Sequence, residues 1–280
     1  MSDRKRDIAF STAARGLCNF PMPLVRDGSG AAARGITRPV PPRRGVGWKL
    51  LLATATLAAA LAAAATSVAQ DAKSTAGPDS GVFLIQMDNK RVGTEKFQIK
   101  RGPNGWEASG ELQLDGEGGA KISETATLRL DTALVPITYE REQKSPKAGK
   151  LEVEFASDQT KLAAATMGGE PEEQEFVLPL DELVVLDTNF FHHYELLLFH
   201  FDRAKGGAQP FNVFIPQEAL PGTINLQFVA KEEVPAGPAA KQLDHFQAVT
   251  DEVQIDIWAT PEGAIQRLSI PQAKLEVVRQ

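Results

Sequence analysis

The sequence predicts a mainly β protein, an antiparallel curved sheet or barrel-like domain of about eleven or twelve strands with one largely buried helix. Three observations support this prediction. From Gly81 onward apolar and polar residues alternate, clusters of glycine and proline interrupt the alternation, and one stretch shows helical periodicity instead. About 200 residues are enough for one core, so residues 80–280 are predicted to form a single antiparallel β domain.

Four stretches show the alternation most clearly. In each, the first, third and fifth residues are apolar and the second and fourth are polar, which is typical of a strand with one face on a core and the other in water. These stretches are 126–130, 151–155, 224–228 and 253–257.

Turn-forming residues separate the predicted strands, because glycine tolerates a positive φ and proline presets a negative one. The turn clusters are 88–90, 102–105, 116–119, 145–147, 168–171 and 260–263. Connections this short make neighbouring strands antiparallel, and a sheet of so many strands must curl into a barrel, bend strongly or split into two layers.

Residues 187–204 break the alternation and predict an amphipathic, largely buried helix. Asp187 or Thr188 is placed to cap its start, and Gly206 and Gly207 to end it. Large apolar residues recur on one face, so the helix is expected to plug or cover the sheet. They are Phe190, Phe191, Tyr194, Leu197, Leu198 and Phe201. In the alternative interpretation the same residues, apart from Leu198, contact a ligand.

Charge divides the chain into two parts. Residues 1–69 contain ten basic and three acidic side chains, whereas residues 70–280 contain 20 basic and 33 acidic ones, a net charge of −13. An acidic domain without a basic stripe is not expected to bind nucleic acid.

The basic N-terminal part resembles an export signal. Residues 50–69 carry no charge, follow a basic flank and end in the small residues Ser67, Val68 and Ala69. This predicts a signal peptide over 46–69, cleaved between Ala69 and Gln70, behind a basic unstructured extension at 1–45 and before a linker at 70–79. The product is expected to be periplasmic or secreted in a bacterium, with no stable membrane span after cleavage.

An uncleaved membrane anchor at 50–69 is the alternative, because about 20 residues can cross a bilayer. The high alanine content and the small-residue exit favour cleavage. The single cysteine, Cys18, precedes the predicted cleavage site, so the mature chain has no thiol that an oxidising compartment could mispair.

Histidines are the concentrated candidates for metal binding or acid–base chemistry. His192, His193 and His200 lie in the predicted helix and His245 in a later strand. Two helical zinc ligands need a spacing of three or four residues, which is missing here. His193, His200 and His245 are therefore only weak metal candidates, and no cofactor is expected.

Other chemical motifs are absent from the sequence. The acidic run 170–175 lacks the oxygen-ligand order of a calcium loop and is interpreted as a solvated loop. There is no Gly-x-Ser-x-Gly elbow, dinucleotide fingerprint or phosphate loop. No catalytic residue is predicted.

Four stretches carry a resemblance: Leu-Asp-Thr-Asn-Phe-Phe-His-His-Tyr at 186–194, Gly-Gly-Ala-Gln at 206–209, Phe-Ile-Pro-Gln at 214–217, and the hairpin at 258–263. They resemble a group of uncharacterised exported bacterial β-rich proteins, over most of residues 80–280. The resemblance implies an exported β fold and no assigned activity. The architecture is also similar to that of lipoprotein and lipid carriers of the bacterial envelope, an analogy of fold alone.

These observations favour a non-enzymatic exported envelope protein whose curved sheet binds an apolar small molecule or a protein partner. A helix packed tightly, with no cavity or groove, would leave only a structural or interaction role. One alternative is a metal-assisted hydrolase using His193 or His200 with His245. Another is a structural protein held in the inner membrane by uncleaved residues 50–69.

Overall fold

The computed structural model describes residues 77–280, apart from positions 117, 118, 158, 167, 168, 170, 237, 238 and 252. It confirms the predicted fold class, a large curved antiparallel sheet that is not closed, with one α-helix. The predicted extension at 1–45, the signal peptide at 46–69 with its cleavage site, and most of the linker at 70–79 lie outside the described residues and stay predictions.

The sheet of the described residues contains fifteen strands, more than the eleven or twelve predicted. The strands are β1 Asp79–Met87, β2 Lys90–Gly102, β3 Gly105–Asp115, β4 Lys121–Leu130, β5 Pro136–Ser145, β6 Gly149–Glu154, β7 Thr160–Thr166, β8 Glu172–Phe176, β9 Leu183–Val185, β10 Ala208–Ile215, β11 Leu220–Ala236, β12 Ala239–Val249, β13 Gln254–Ala259, β14 Ile265–Ile270 and β15 Leu275–Arg279. Strands such as β8, polar at four of five positions, and the three-residue β9 carry no visible alternation, which accounts for the lower predicted number.

The strands are arranged as a rolled meander. Hydrogen-bonded neighbours follow the order β8-β7-β6-β5-β4-β3-β2-β1-β15-β14-β13-β12-β11-β10-β9, so the first and last strands of the domain pair with each other. All pairs are antiparallel except β9 with β10. The ends of this order, β8 and β9, are the edges of the sheet.

Side chains rather than a backbone ladder connect the two ends of the rolled sheet. Phe214 of β10 meets Phe155, which follows β6, with ring centroids 6.2 Å apart. It also meets Phe176 of β8 at 5.2 Å. We call this junction between the β8 and β9 ends the seam.

The helix is shorter than predicted. Helix α1 spans His193–His200, and Asp187 does not cap it, because its Oδ1 accepts a hydrogen bond from the Asn189 amide. The segment from 187 to 192 is a loop with one bend and one turn, and Gly206 and Gly207 follow well after the helix has ended at His200. The described residues contain no helix that is both long and apolar enough to span a membrane.

The helix is largely buried, as predicted, but its eight residues show no amphipathic pattern. Seven of the eight α1 residues are buried, including Glu195, because the sheet surrounds the helix and leaves only His200 at its end partly exposed. Stacked and edge-to-face aromatic contacts fill the interior, such as Phe83 on Phe97 at 4.6 Å and Phe201 against Phe246 at 5.4 Å. We call residues 187–201 the plug.

Candidate functional site

A carboxyl group and an imidazole meet at the centre of the sheet interior. Glu95 in β2 points inward because it shares strand parity with Phe97 and Ile99, and it is fully buried. It accepts hydrogen bonds from the Phe191 amide at 2.8 Å and from the His192 amide at 3.4 Å. Its Oε1 also contacts His192 Nδ1.

Burial makes this pair uncharged. Removal from water raises the pKa of Glu95 to about 8, although the two backbone amides favour the carboxylate. Burial lowers the pKa of His192 to about 3. Near neutral pH the Glu95 carboxyl group therefore keeps its proton and the His192 ring is neutral, so the pair carries no net charge.

Replacing Glu95 with glutamine should flatten the pH dependence of stability. The pKa in the fold, about 8, lies above the ordinary value of 4.5, so the stabilising contribution is complete below pH 4.5 and is lost as the pH rises through about 8. We expect the melting temperature of Glu95→Gln, relative to the native chain, to rise by about 10 °C between pH 5 and 8.

Thermal unfolding followed by circular dichroism measures this difference. The matched control is Glu111→Gln, because Glu111 is an exposed glutamate on the adjacent strand β3. An equal pH dependence in both variants would contradict the assignment of a buried neutral acid at position 95.

His193, next along the plug, is also fully buried. Burial lowers its pKa to about 3, and neither ring nitrogen makes a hydrogen bond of normal geometry within the described residues. Its ring lies 4.6 Å from that of His192 and 6.0 Å from that of Tyr139, edge to face in both contacts. His192 and His193 are thus core residues of the plug.

A second buried cluster joins the plug to the seam. Asp187 Oδ2 accepts hydrogen bonds from the Tyr139 hydroxyl and the Gln217 amide, and Gln217 Nε2 lies 3.1 Å from the Tyr139 oxygen. Burial and then the Asp187 charge raise the pKa of Tyr139 well above its usual value, so the hydroxyl remains a donor. We call Tyr139, Asp187 and Gln217 the latch.

The third buried cluster lies where the chain ends of the domain meet. Glu195 of α1 accepts hydrogen bonds from the Ile265 amide at 2.9 Å and from Arg279 at 3.5 Å. Arg279 donates to Asp79 through its two terminal guanidinium nitrogens, each at 2.7 Å. Burial, and then the charge of Asp79, raise the pKa of Glu195 well above its usual value.

His245 belongs to a different place, the outer face of the sheet. Its neighbour Phe246 points inward to Phe201, so His245 points outward. Its Nδ1 lies 2.8 Å from Glu232 and its Nε2 lies 3.0 Å from Asp256. Both nitrogens can donate to these acids only when the ring is protonated.

Stacked side chains extend from His245 across the outer face. The His245 ring lies on Trp258 at 4.6 Å, and the Arg267 guanidinium lies over the same indole at 4.7 Å. Trp258 donates to Glu232 at 2.8 Å, and Arg267 binds Glu276 at 2.8 and 3.0 Å. We call His245, Trp258 and Arg267 the outer ladder.

The structure separates the weak metal candidates. His193 is enclosed in the interior and His245 belongs to the outer ladder, so a shared metal site for a hydrolase is not formed. His200 is partly exposed at the end of α1, 6.3 Å from the ring of Phe211. No set of three or more histidine, cysteine or acidic side chains in the described residues is arranged to hold a metal ion.

The predicted ligand-contacting residues are all core residues. None is more than 5% exposed, and their contact with a ligand stays a prediction. They are Phe190, Phe191, Tyr194, Leu197 and Phe201. The best-formed cavity of the described residues has about 10 Å³, is lined by apolar side chains such as Leu186 and Val213, and has room for about one water molecule.

The sequence analysis did not predict that the acidic residues Glu95, Glu195 and Asp187 are buried. A signal existed for Glu95, because positions 93, 95, 97 and 99 share one parity and two of them hold Phe97 and Ile99. A charged residue on the apolar side of a strand indicates a buried partner.

The chain has no match among family models and none among curated proteins. Its fold is similar to the crystal structure of a beta-barrel-like protein of a domain of unknown function, DUF1849, from Brucella abortus. That similarity has a TM-score of 0.52 at 9% identity and covers 73% of this chain and 95% of the other. A DUF1089 family protein from Pseudomonas aeruginosa has a TM-score of 0.40 at 12% identity, over 64% of this chain and 90% of the other. The first similarity supports the fold alone.

Proposed function

We propose that this chain is a non-enzymatic protein of the bacterial envelope, exported through its leader, that binds a protein partner on the outer face of its curved sheet. The observation that carries the proposal is the filled interior. The plug occupies the space inside the sheet, and the best-formed cavity has about 10 Å³, so an apolar small molecule has less support than a partner on the outside.

The outer ladder is the favoured contact surface. Tryptophan and arginine are the residue types that most often dominate the energy of protein interfaces. Here Trp258 and Arg267 are held by Glu232 and Glu276, which fixes their conformations before binding and reduces the entropy lost on association.

The partner is expected to present a basic surface. Residues 70–280 have a net charge of −13, so a basic partner is attracted at long range and an acidic one is repelled. Binding should therefore weaken as the salt concentration rises.

Site-specific photo-crosslinking in the native host tests this proposal. A crosslinking residue at Gln86, which pairs with Glu276 beside the outer ladder, should capture one protein, and the exposed Lys161 on β7 should capture none. Trp258→Ala should reduce capture at Gln86 about tenfold while the melting temperature shows that the chain is folded.

Equal capture at Gln86 and Lys161, or none at Gln86, would contradict the proposed surface. A tightly bound apolar molecule found by mass spectrometry of the purified native protein would favour the small-ligand alternative. Sequencing the N-terminus of the product tests export separately, and Gln70 is the expected first residue.

A further inference from the structure

The seam differs from every other junction between strands of the sheet. Fourteen neighbouring pairs are joined by backbone ladders, whereas β8 and β9 share none in the described residues. The contacts across it include those of Phe214 with Phe155 and Phe176, together with the latch. The seam is therefore the junction that can separate without breaking a ladder.

The latch also anchors the plug. Asp187 follows β9 and is the first residue of the plug, and it contacts Tyr139 of β5 and Gln217 after β10. Loss of the latch would free one end of the plug and one side of the seam together, because the same carboxylate holds both.

The plug and its surroundings are also the part of the fold with incomplete hydrogen bonding. Seven buried side-chain polar atoms of the described residues make no hydrogen bond of normal geometry. Four belong to the plug, one to the latch, and two to strands on the β8 side of the sheet. They are His192 Nε2, His193 Nδ1 and Nε2, Glu195 Oε2, Gln217 Oε1, Thr138 Oγ1 and Thr160 Oγ1.

Each such atom makes the closed arrangement less stable, because it has lost water without gaining a hydrogen bond of normal geometry. Contact with water on opening would recover this loss. The apolar contacts of the plug oppose opening, and they outweigh the polar cost in the closed state because seven residues of α1 are buried. The balance between apolar contacts and unpaired polar atoms is nevertheless least favourable here, since no such atom lies on the described residues of β1 to β4 or of β10 to β15.

We propose that the seam and the plug open together as one cooperative unit while the ladder from β1 to β4 stays folded, with the latch as the contact that controls opening. The interior of the curved sheet is then an apolar groove that the plug, residues 187–201 of the same chain, fills in the closed state. Opening exposes the inner wall, including Phe83, Phe97 and Trp106.

Native-state hydrogen exchange with mass spectrometry tests this inference on the mature chain, in low concentrations of denaturant. Amides of the plug and β9 should exchange at least about tenfold faster than those of β2 and β3, and should do so together. If the plug amides exchange at the same rate as the amides of β2 and β3, the proposal is overturned.

A matched pair of variants tests the latch. Tyr139→Phe removes the hydroxyl and keeps the ring, so plug and β9 amides should exchange about tenfold faster with β2 and β3 unchanged. Ser269→Ala removes a hydroxyl that donates to Glu276 at 2.8 Å on the outer face, and it should leave the plug unchanged.

Two other results are possible for the Tyr139→Phe variant. Equal acceleration of all amides in Tyr139→Phe would mean that the latch contributes to global stability alone, and would overturn its role. If Tyr139→Phe does not fold, the exchange pattern of the native chain still decides whether the plug and seam open as a unit. These readouts do not depend on the proposed protein partner.

Discussion

Gly110→Ala should lower the free energy of unfolding by about 3 kcal/mol. A Cβ at position 110 of β3 would lie 2.5 Å from Phe190 Cδ1 and 2.9 Å from His192 Cε1, closer than packed atoms can approach. The plug would have to move, and with it the buried contacts of His192 to Glu95. Urea unfolding followed by circular dichroism measures the loss.

Gly149→Ala is the matched control for this prediction. A Cβ there would meet only the Ala165 carbonyl oxygen, at 3.4 Å, so a loss of less than about 1 kcal/mol is expected. Phe190→Leu combined with Gly110→Ala should recover part of the stability, because the two sites compete for one space. Additive losses in the double variant would show that the plug does not pack against Gly110.

Arg279→Met should destabilise the fold by about 3 to 4 kcal/mol. The substitution leaves Asp79 without its bidentate partner and removes bonds to the carbonyls of Ser80 and Ile265, at 2.7 and 3.2 Å. It also loosens the junction between β1 and β15, where Phe83 pairs with Arg279. Urea unfolding again measures the loss.

Arg129→Met provides the comparison. Arg129 binds Glu107 and Glu140 on the outer face, and 49% of its side chain is exposed, so its ion pairs are screened by water. We expect a loss below about 1 kcal/mol. Similar losses in the two variants would indicate that Arg279 contributes no more than a surface arginine.

The predicted strands and the observed sheet agree where periodicity is strong. Residues 151–155 and 253–257 alternate in the sequence and overlap β6 and β13 in the structure. Alternation predicts which side chains share a face of a strand, because successive side chains of a strand point in opposite directions. It does not predict which strands become the edges, so the seam was not foreseen.

The helix shows where local patterns fail. The spacing of Phe190, Tyr194 and Leu197 correctly predicted a helical segment, but Asp187 was expected to cap it. In the structure this carboxylate binds Tyr139 and Gln217, which are 48 and 30 residues away along the chain. A capping preference is a local energy of about 1 kcal/mol, and the buried latch replaces it.

The sequence by itself determined the β class, the inward parity of Glu95 and the apolar character of the plug, since each depends on residues close together along the chain. Only the tertiary structure decided that Glu95 meets His192 and that Glu195 meets Arg279, contacts over 97 and 84 residues. It also placed His193 and His245 on opposite sides of the sheet. These contacts form only when the sheet rolls around the plug. They join residues far apart along the chain, and the packing of the whole chain decides which of them meet. Periodicity in the sequence reports on neighbouring residues alone and cannot predict them.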